Sequence, residues 1–285
     1  MAVRIVTDSI CHPSKERAEE MGIEMVPINI HFGEEVLRDQ VDIDSETFYN
    51  RLAASKELPT TSAPSIDRFT EAFRTILDRG EDVFLITVTG DLSNTYQVAL
   101  KAKASFDEKD AGRIVVFDSQ AAGASASLLA VEGAEMAKAG ATLKDIETAL
   151  EALRPFVKLV VMFDTLKYIE KSGKVGKVAA IAGNLFRVKP LIQLHQGKPE
   201  FFGRARGRHQ AVKMILEQFK KDTAGADKVR VALTHANAEK DIAPFREEIS
   251  AMFPDVEMDL VPFATSMGAH AGPGIIGVCY MYAKA

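Results

Sequence analysis

The chain has 285 residues, 47% of them hydrophobic and 26% charged, which excludes intrinsic disorder and leaves enough apolar material for one large domain or two ordinary ones. A formal net charge of -5 argues against nucleic acid as a partner, since nucleic-acid binders favour basic surfaces. No stretch approaches the ~18 apolar residues of a membrane span, and Met1-Ala2-Val3-Arg4-Ile5-Val6 is too short an apolar run for a secretory leader, so a cytoplasmic protein is expected. The two cysteines, Cys11 and Cys279, stand in no metal or redox spacing and read as reduced thiols.

Val3-Arg4-Ile5-Val6-Thr7-Asp8-Ser9 reads as a first strand with a polar end. A helix follows from Pro13 and stops at Gly22. A second strand is expected over 23–29, and a small hairpin at His31-Phe32-Gly33-Glu34-Glu35-Val36. Asp44 or Ser45 caps a helix carrying Phe48 and Leu52. The stretch 57–64, pinned by Pro59 and Pro64, reads as a loop rich in hydroxyls, before a helix from Ser65 to Arg79.

Asp82-Val83-Phe84-Leu85-Ile86-Thr87-Val88 reads as a buried strand, and the polar turn through Ser93 and Asn94 leads into a helix to about residue 106. A strand over 113–117 and helices over 123–138 and 143–153 complete an alternation that predicts a doubly wound, mainly parallel sheet. The pattern changes near Pro155. Strands are expected over 156–163, 228–233 and 256–261, and helices over 165–170, 208–221 and 238–251. A hairpin turns at Gln196-Gly197-Lys198-Pro199, and a last strand follows Gly272-Pro273-Gly274. The expected fold is α/β with two domains. An N-terminal, Rossmann-like unit spans 1–158, and a C-terminal α/β sandwich with a mixed or antiparallel sheet spans 159–285.

Several motifs fail on inspection. Gly272-Pro273-Gly274-Ile275-Ile276-Gly277 has the dinucleotide glycine spacing but opens a strand, with too little chain left for the acidic partner ~20 residues on. Gly173-Lys174-Val175-Gly176-Lys177 lacks the phosphate-loop spacing. The six histidines show no metal-ligand spacing, so no metal is expected. Ser93 lacks the flanking glycines of a nucleophile elbow, because Asp91 and Thr95 stand there. It reads either as a helix cap or as part of an anion site, since a helix start presents free N–H groups. The alternative is a hydrolase or other enzyme acting on an acyl ester or small carboxylate, using Ser93 with His270 or His235 as base. The clusters at Thr61-Ser62 and at Ser93 contain no Lys or Arg, which suits a singly charged carboxylate better than a phosphate.

Thr61-Ser62-Ala63-Pro64-Ser65 and Leu92-Ser93-Asn94-Thr95-Tyr96-Gln97 resemble two boxes of the DegV family. Leu166-Lys167-Tyr168-Ile169 with Gly173-Lys174-Val175, Val188-Lys189-Pro190-Leu191-Ile192, Arg204-Ala205-Arg206-Gly207 and His270-Ala271-Gly272-Pro273-Gly274 match further boxes in the same order. The resemblance spans essentially the whole chain. It implies a protein with no catalytic activity or cofactor of its own that binds one long-chain fatty acid between its two domains. By the same resemblance, it would present the carboxylate to a separate ATP-using fatty acid kinase subunit. The acyl phosphate would then feed phospholipid synthesis. Thr61, Ser62, Ser93, Asn94 and His270 would hold the carboxylate, and Lys174 and Arg206 would meet the kinase. Four positions depart from the family pattern. Asn94 and Lys174 stand where it has Gly and Arg, and Thr89-Gly90 replaces Ser-Ser. Asn enters left-handed backbone less freely than Gly, and Lys keeps charge but loses bidentate geometry.

Overall fold

The computed structural model describes residues 2–172 and 188–283. Strand β1 (Val3–Asp8) leads to helix α1 (Lys15–Met21), which Gly22 ends in left-handed backbone at φ 67°. The expected strand over 23–29 is split. β2 (Glu24–Val26) pairs in parallel with β1, whereas β3 (Asn29–Phe32) belongs to another sheet. Pro27 stands at the break, where it has no N–H to give a ladder. β4 (Glu35–Arg38) forms the expected hairpin with β3. Helix α2 (Ser45–Ala54) starts on Asp44, whose carboxylate accepts from the Thr47 amide at 2.7 Å.

The stretch 57–64 is not all loop, because β5 (Thr60–Ser62) pairs antiparallel with β3. Then come α3 (Ile66–Asp78), β6 (Asp82–Thr87), α4 (Thr95–Lys103), a one-turn α5 (Glu108–Ala111) and β7 (Ile114–Asp118). Helices α6 (Ala124–Lys138) and α7 (Leu143–Leu153) follow, the second opened by a capping box between Thr142 and Asp145.

The strand order β2-β1-β6-β7 is parallel throughout. Both faces of this sheet are covered, so its strands are apolar on both sides. Val6, Val83 and Leu85 meet Phe69, Phe73 and Ile76 of α3 on one face. Ile5, Phe84 and Ile86 meet α6 and α7 on the other. This is the doubly wound arrangement that the alternation predicts. The strand order reverses between β1 and β6, and such a switch point opens a crevice at the carboxyl ends of the two strands.

The C-terminal half contributes β8 (Val157–Met162), α8 (Lys167–Ser172), β9 (Lys189–His195), β10 (Lys198–Ala205), α9 (Arg208–Thr223) and β11 (Lys228–His235). It closes with α10 (Ala243–Met252), β12 (Met258–Pro262), α11 (Thr265–Ala271) and β13 (Ile276–Ala283). Its sheet runs β10-β9-β8-β13-β11-β12 and is antiparallel except for the parallel β11–β12 pair. Gln196 and Gly197, at φ 48° and 81°, make the tight β9–β10 turn that the sequence predicts. Helix α11 has no counterpart among the expected elements.

One face of this mixed sheet, with Val160, Met162, Leu191 and Tyr280, packs on Phe219 of α9 and Phe245 of α10. The opposite face, with Leu159, Val161, Ile192 and Leu194, joins the same apolar cluster as Ile5 and Phe84 of the first sheet. Helix α6 is the layer between the two sheets and touches strands of both. Its Ala124, Ala126, Ala130 and Ala134 are all buried, and side chains this small let both sheets approach closely.

Candidate functional site

The turn that carries Ser93 hangs from two carboxylates at the ends of the strands that flank β6. Asp8, at the end of β1, accepts from the Val88 amide at 2.7 Å and from the Ile10 and Cys11 amides at 2.9 and 3.1 Å. Asp118, at the end of β7, accepts from the Gly90 amide at 3.3 Å and the Gln120 amide at 2.9 Å. Helix α4 then begins after Asn94 with no side-chain cap. Ser93 Oγ accepts from the Thr95 amide at 3.2 Å and shares a 2.8 Å hydrogen bond with the Thr95 hydroxyl. Asn94 has φ -77° and ψ 1°, which is right-handed backbone. The exchange of Gly for Asn therefore adds no strain to this turn.

Asp8 is fully buried, and burial pushes its pKa up from 3.8 to about 6 against the pull of its three amide donors. The folded state thus holds this proton more tightly than the unfolded chain. Its contribution to stability is fully present below pH 3.8 and is lost as pH rises through 6. We expect the stability advantage of the wild type over Asp8→Asn to shrink by on the order of 2–3 kcal/mol between pH 4 and pH 6.5. Urea unfolding of both proteins at the two pH values checks this, and a constant difference would refute it.

The second hydroxyl cluster lies on β5. Strand alternation sends Thr61 and Ser62 to opposite faces. Ser62 is exposed, and its Oγ meets neighbours on β3, at 2.8 Å from His31 Nε2 and 3.2 Å from Asn29 Nδ2. Thr61 pairs with the fully buried Ile30 and turns inward, where its hydroxyl shares a 2.8 Å hydrogen bond with His270 Nε2.

His270 rides on the short helix α11, whose start is held by the buried Asp39. That carboxylate accepts from Ser266 Oγ at 2.6 Å, from Ser9 Oγ at 2.8 Å and from the Thr265 hydroxyl. Burial pushes the Asp39 pKa up, and the hydrogen bonds from Ser266, Thr265 and Ser9 oppose the shift. Midway along α11, Gly268 faces Tyr49, whose hydroxyl would lie only 2.5 Å from an added Cβ.

These elements enclose a cavity of about 610 Å³, in the range of small-molecule sites. Thr61, Ser62, Ser93, Asn94 and His270 all line it, so residues far apart in the chain converge here. Its floor is the crevice at the switch point, with Ile10 beyond β1 and Val88 beyond β6. Leu159, Val161, Phe163, Ile192 and Leu194 of the mixed sheet form the opposite wall. No Lys, Arg, Asp or Glu is among its described lining residues. Such a space suits a long apolar tail with a small polar head. The sequence did not single out Asp8, Asp39 or Asp118 as supports, and polarity at a strand end was their only local sign.

Arg206 is exposed in the loop before α9, outside the cavity lining, and its amide donates to Gln210 Oε1 at 2.7 Å. Lys174 lies outside the described residues. Among the described residues, no group of His, Cys, Asp and Glu could hold a metal ion, and no helix is long and apolar enough to cross a membrane.

Residues 2–283 match the family model described as "Uncharacterised protein, DegV family". Protein DegV of Bacillus subtilis is 30% identical over 283 residues, which cover 99% of this chain and all of the relative. The structure of a DegV family protein from Thermus thermophilus, described by its fatty acid binding, superposes with a TM-score of 0.92 at 27% identity, covering 99% of this chain and 100% of that one. A stearic acid-binding protein from Eubacterium ventriosum superposes with a TM-score of 0.91 at 28% identity and 98% coverage of both chains. On the extent of the family match and of the identity to its Bacillus relative, the chain belongs to the DegV family.

Proposed function

We propose that this protein binds one long-chain fatty acid and acts as its carrier, without catalysis of its own. The observation that carries the reading is the cavity itself, largely apolar and free of charged lining among the described residues, with hydroxyls, an imidazole and an uncapped helix start among its lining. The tail would lie between a unit of residues 1–158 and a unit of 159–285. Thr61, Ser93 and His270 would orient the carboxylate, with Ser62 and the Asn94 backbone beside them. Relatives named for fatty acid and stearic acid binding support the ligand class. Burial of each methylene contributes about 0.8 kcal/mol, and a neutral hydrogen bond nets about 1 kcal/mol. The tail thus dominates affinity, and the polar end sets orientation.

Presentation to a separate kinase subunit is part of the same proposal. Asn94 is exposed and Ser93 half-buried, so a second protein could reach the carboxylate. Arg206 and Lys174 are the proposed contacts, and a cytoplasmic setting with ATP available goes with this role. The esterase alternative gains less support. Ser93 Oγ is engaged by Thr95 and His270 Nε2 by Thr61, whereas an activated nucleophile needs its base within hydrogen-bond reach.

Native mass spectrometry of the purified protein tests the carrier reading. A co-purifying sixteen- or eighteen-carbon acid is expected, and an empty protein that hydrolyses acyl esters would overturn it. Ser93→Ala should retain the lipid while losing most acyl-phosphate formation when ATP and a kinase subunit are added. Complete loss of lipid in that variant would contradict the division of labour between tail and head.

A further inference from the structure

We infer that Phe263, together with Ile10, sets the longest acyl tail the cavity accepts. The inference rests on the fatty acid reading above. A second cavity of about 360 Å³ lies against the first, among the start of α1, Gln40 and the end of β12. Ile10 and Phe263 line both cavities. These two residues therefore stand at the boundary between the two spaces.

Phe263 is 2% exposed, and its amide donates to the His235 carbonyl at 2.9 Å, which fixes the backbone that carries the ring. Its position relative to the head end follows from α11. His270 stands at the polar end, Ser266 and Met267 line the cavity further along, and Phe263 precedes the helix. Asp39 ties the two sides of the boundary together, since it binds Ser9 next to Ile10 and Thr265 just after Phe263.

The space beyond can take an alkyl end. Pro13, Leu260 and Val261 give it apolar surface beside the charged Lys15, Glu16 and Asp44. His12 also lines it, and burial pulls its pKa down to about 4, so the imidazole is neutral at pH 7. Removing the Phe263 ring would join the two spaces into one longer channel.

The test measures affinities of delipidated protein for saturated acids from dodecanoic to tetracosanoic. For the wild type, affinity should rise with length and then stop rising at a definite chain length. In Phe263→Ala and Ile10→Ala that break should move to longer acids, with a gain on the order of ten-fold for each two methylenes newly accommodated. Acids shorter than the wild-type break gain nothing from the added room and should bind no variant more tightly than the wild type. Phe263→Leu, a milder truncation, guards against loss of the fold and should give an intermediate break. A break at the same length in wild type and all folded variants would overturn the inference while leaving the fatty acid reading intact. A wild-type protein that binds none of the series would overturn the reading and the inference with it.

Discussion

Asp39→Ala should lower stability by about 2–4 kcal/mol and loosen the polar end of the cavity. The substitution leaves Ser266 Oγ and the Thr265 hydroxyl without this partner in a buried place, and Ser9 Oγ with only the Ile28 amide, where each lost partner costs about 1–3 kcal/mol. Some of that loss is offset, because burial disfavours the Asp39 carboxylate in the wild type. The helix it anchors carries His270, so the imidazole should lose its fixed distance to Thr61. Asp39→Asn keeps the shape and one acceptor oxygen and should lose less. Urea unfolding gives the stability, and fatty acid titration gives the effect on the site. An unchanged unfolding midpoint in Asp39→Ala would count against this account.

The opposite end of α11 gives the second large effect. Gly272 has φ 77° and ψ 178°, a conformation essentially confined to glycine. A Cβ there would stand 2.2 Å from a ring carbon of Tyr168 on α8. The neighbouring Ile169 and Ala271 both line the cavity, so any shift that relieves the clash deforms the site. Gly272→Ala should destabilise by about 3 kcal/mol or more, combining backbone strain with overpacking. Fatty acid affinity should fall at least about ten-fold, the equivalent of 1.4 kcal/mol. Gly140→Ala is the control. Its φ is 88° but nothing lies within 4 Å, so it should show backbone strain alone, about 1 kcal/mol. Equal losses in the two variants would remove the Tyr168 contact from the explanation.

Helix α11 also marks where sequence reading stops. Seven residues with a central glycine cannot hold a helix on propensity, and here Asp39 and Tyr49, distant in the chain, supply the support. The buried strands β1, β6 and β7 were legible because both faces of their sheet are covered and the apolar runs are continuous. The run over 23–29 looked equally continuous, but Pro27 divides it between two sheets. Thr60–Ser62 looked like a loop because three polar residues have no period to detect. Local chemistry pointed to the hydroxyl clusters at Thr61 and Ser93 as a shared polar site, and the family boxes placed His270 with them. Their encounter depends on the packing of separate elements, which local spacing does not encode. The turn at Asn94 shows the reverse case. A departure that looked costly in sequence is accommodated in right-handed backbone.

The position of α6 bears on how a ligand would exchange. The helix is wedged between the two sheets, with one apolar cluster running through it from Phe84 to Leu194. A clamshell motion that parted the sheets would strip apolar cover from both sides of this beam at once. For the proposed fatty acid, exchange would then be lengthwise, and residence time, not only affinity, would grow with the number of methylenes in the tail.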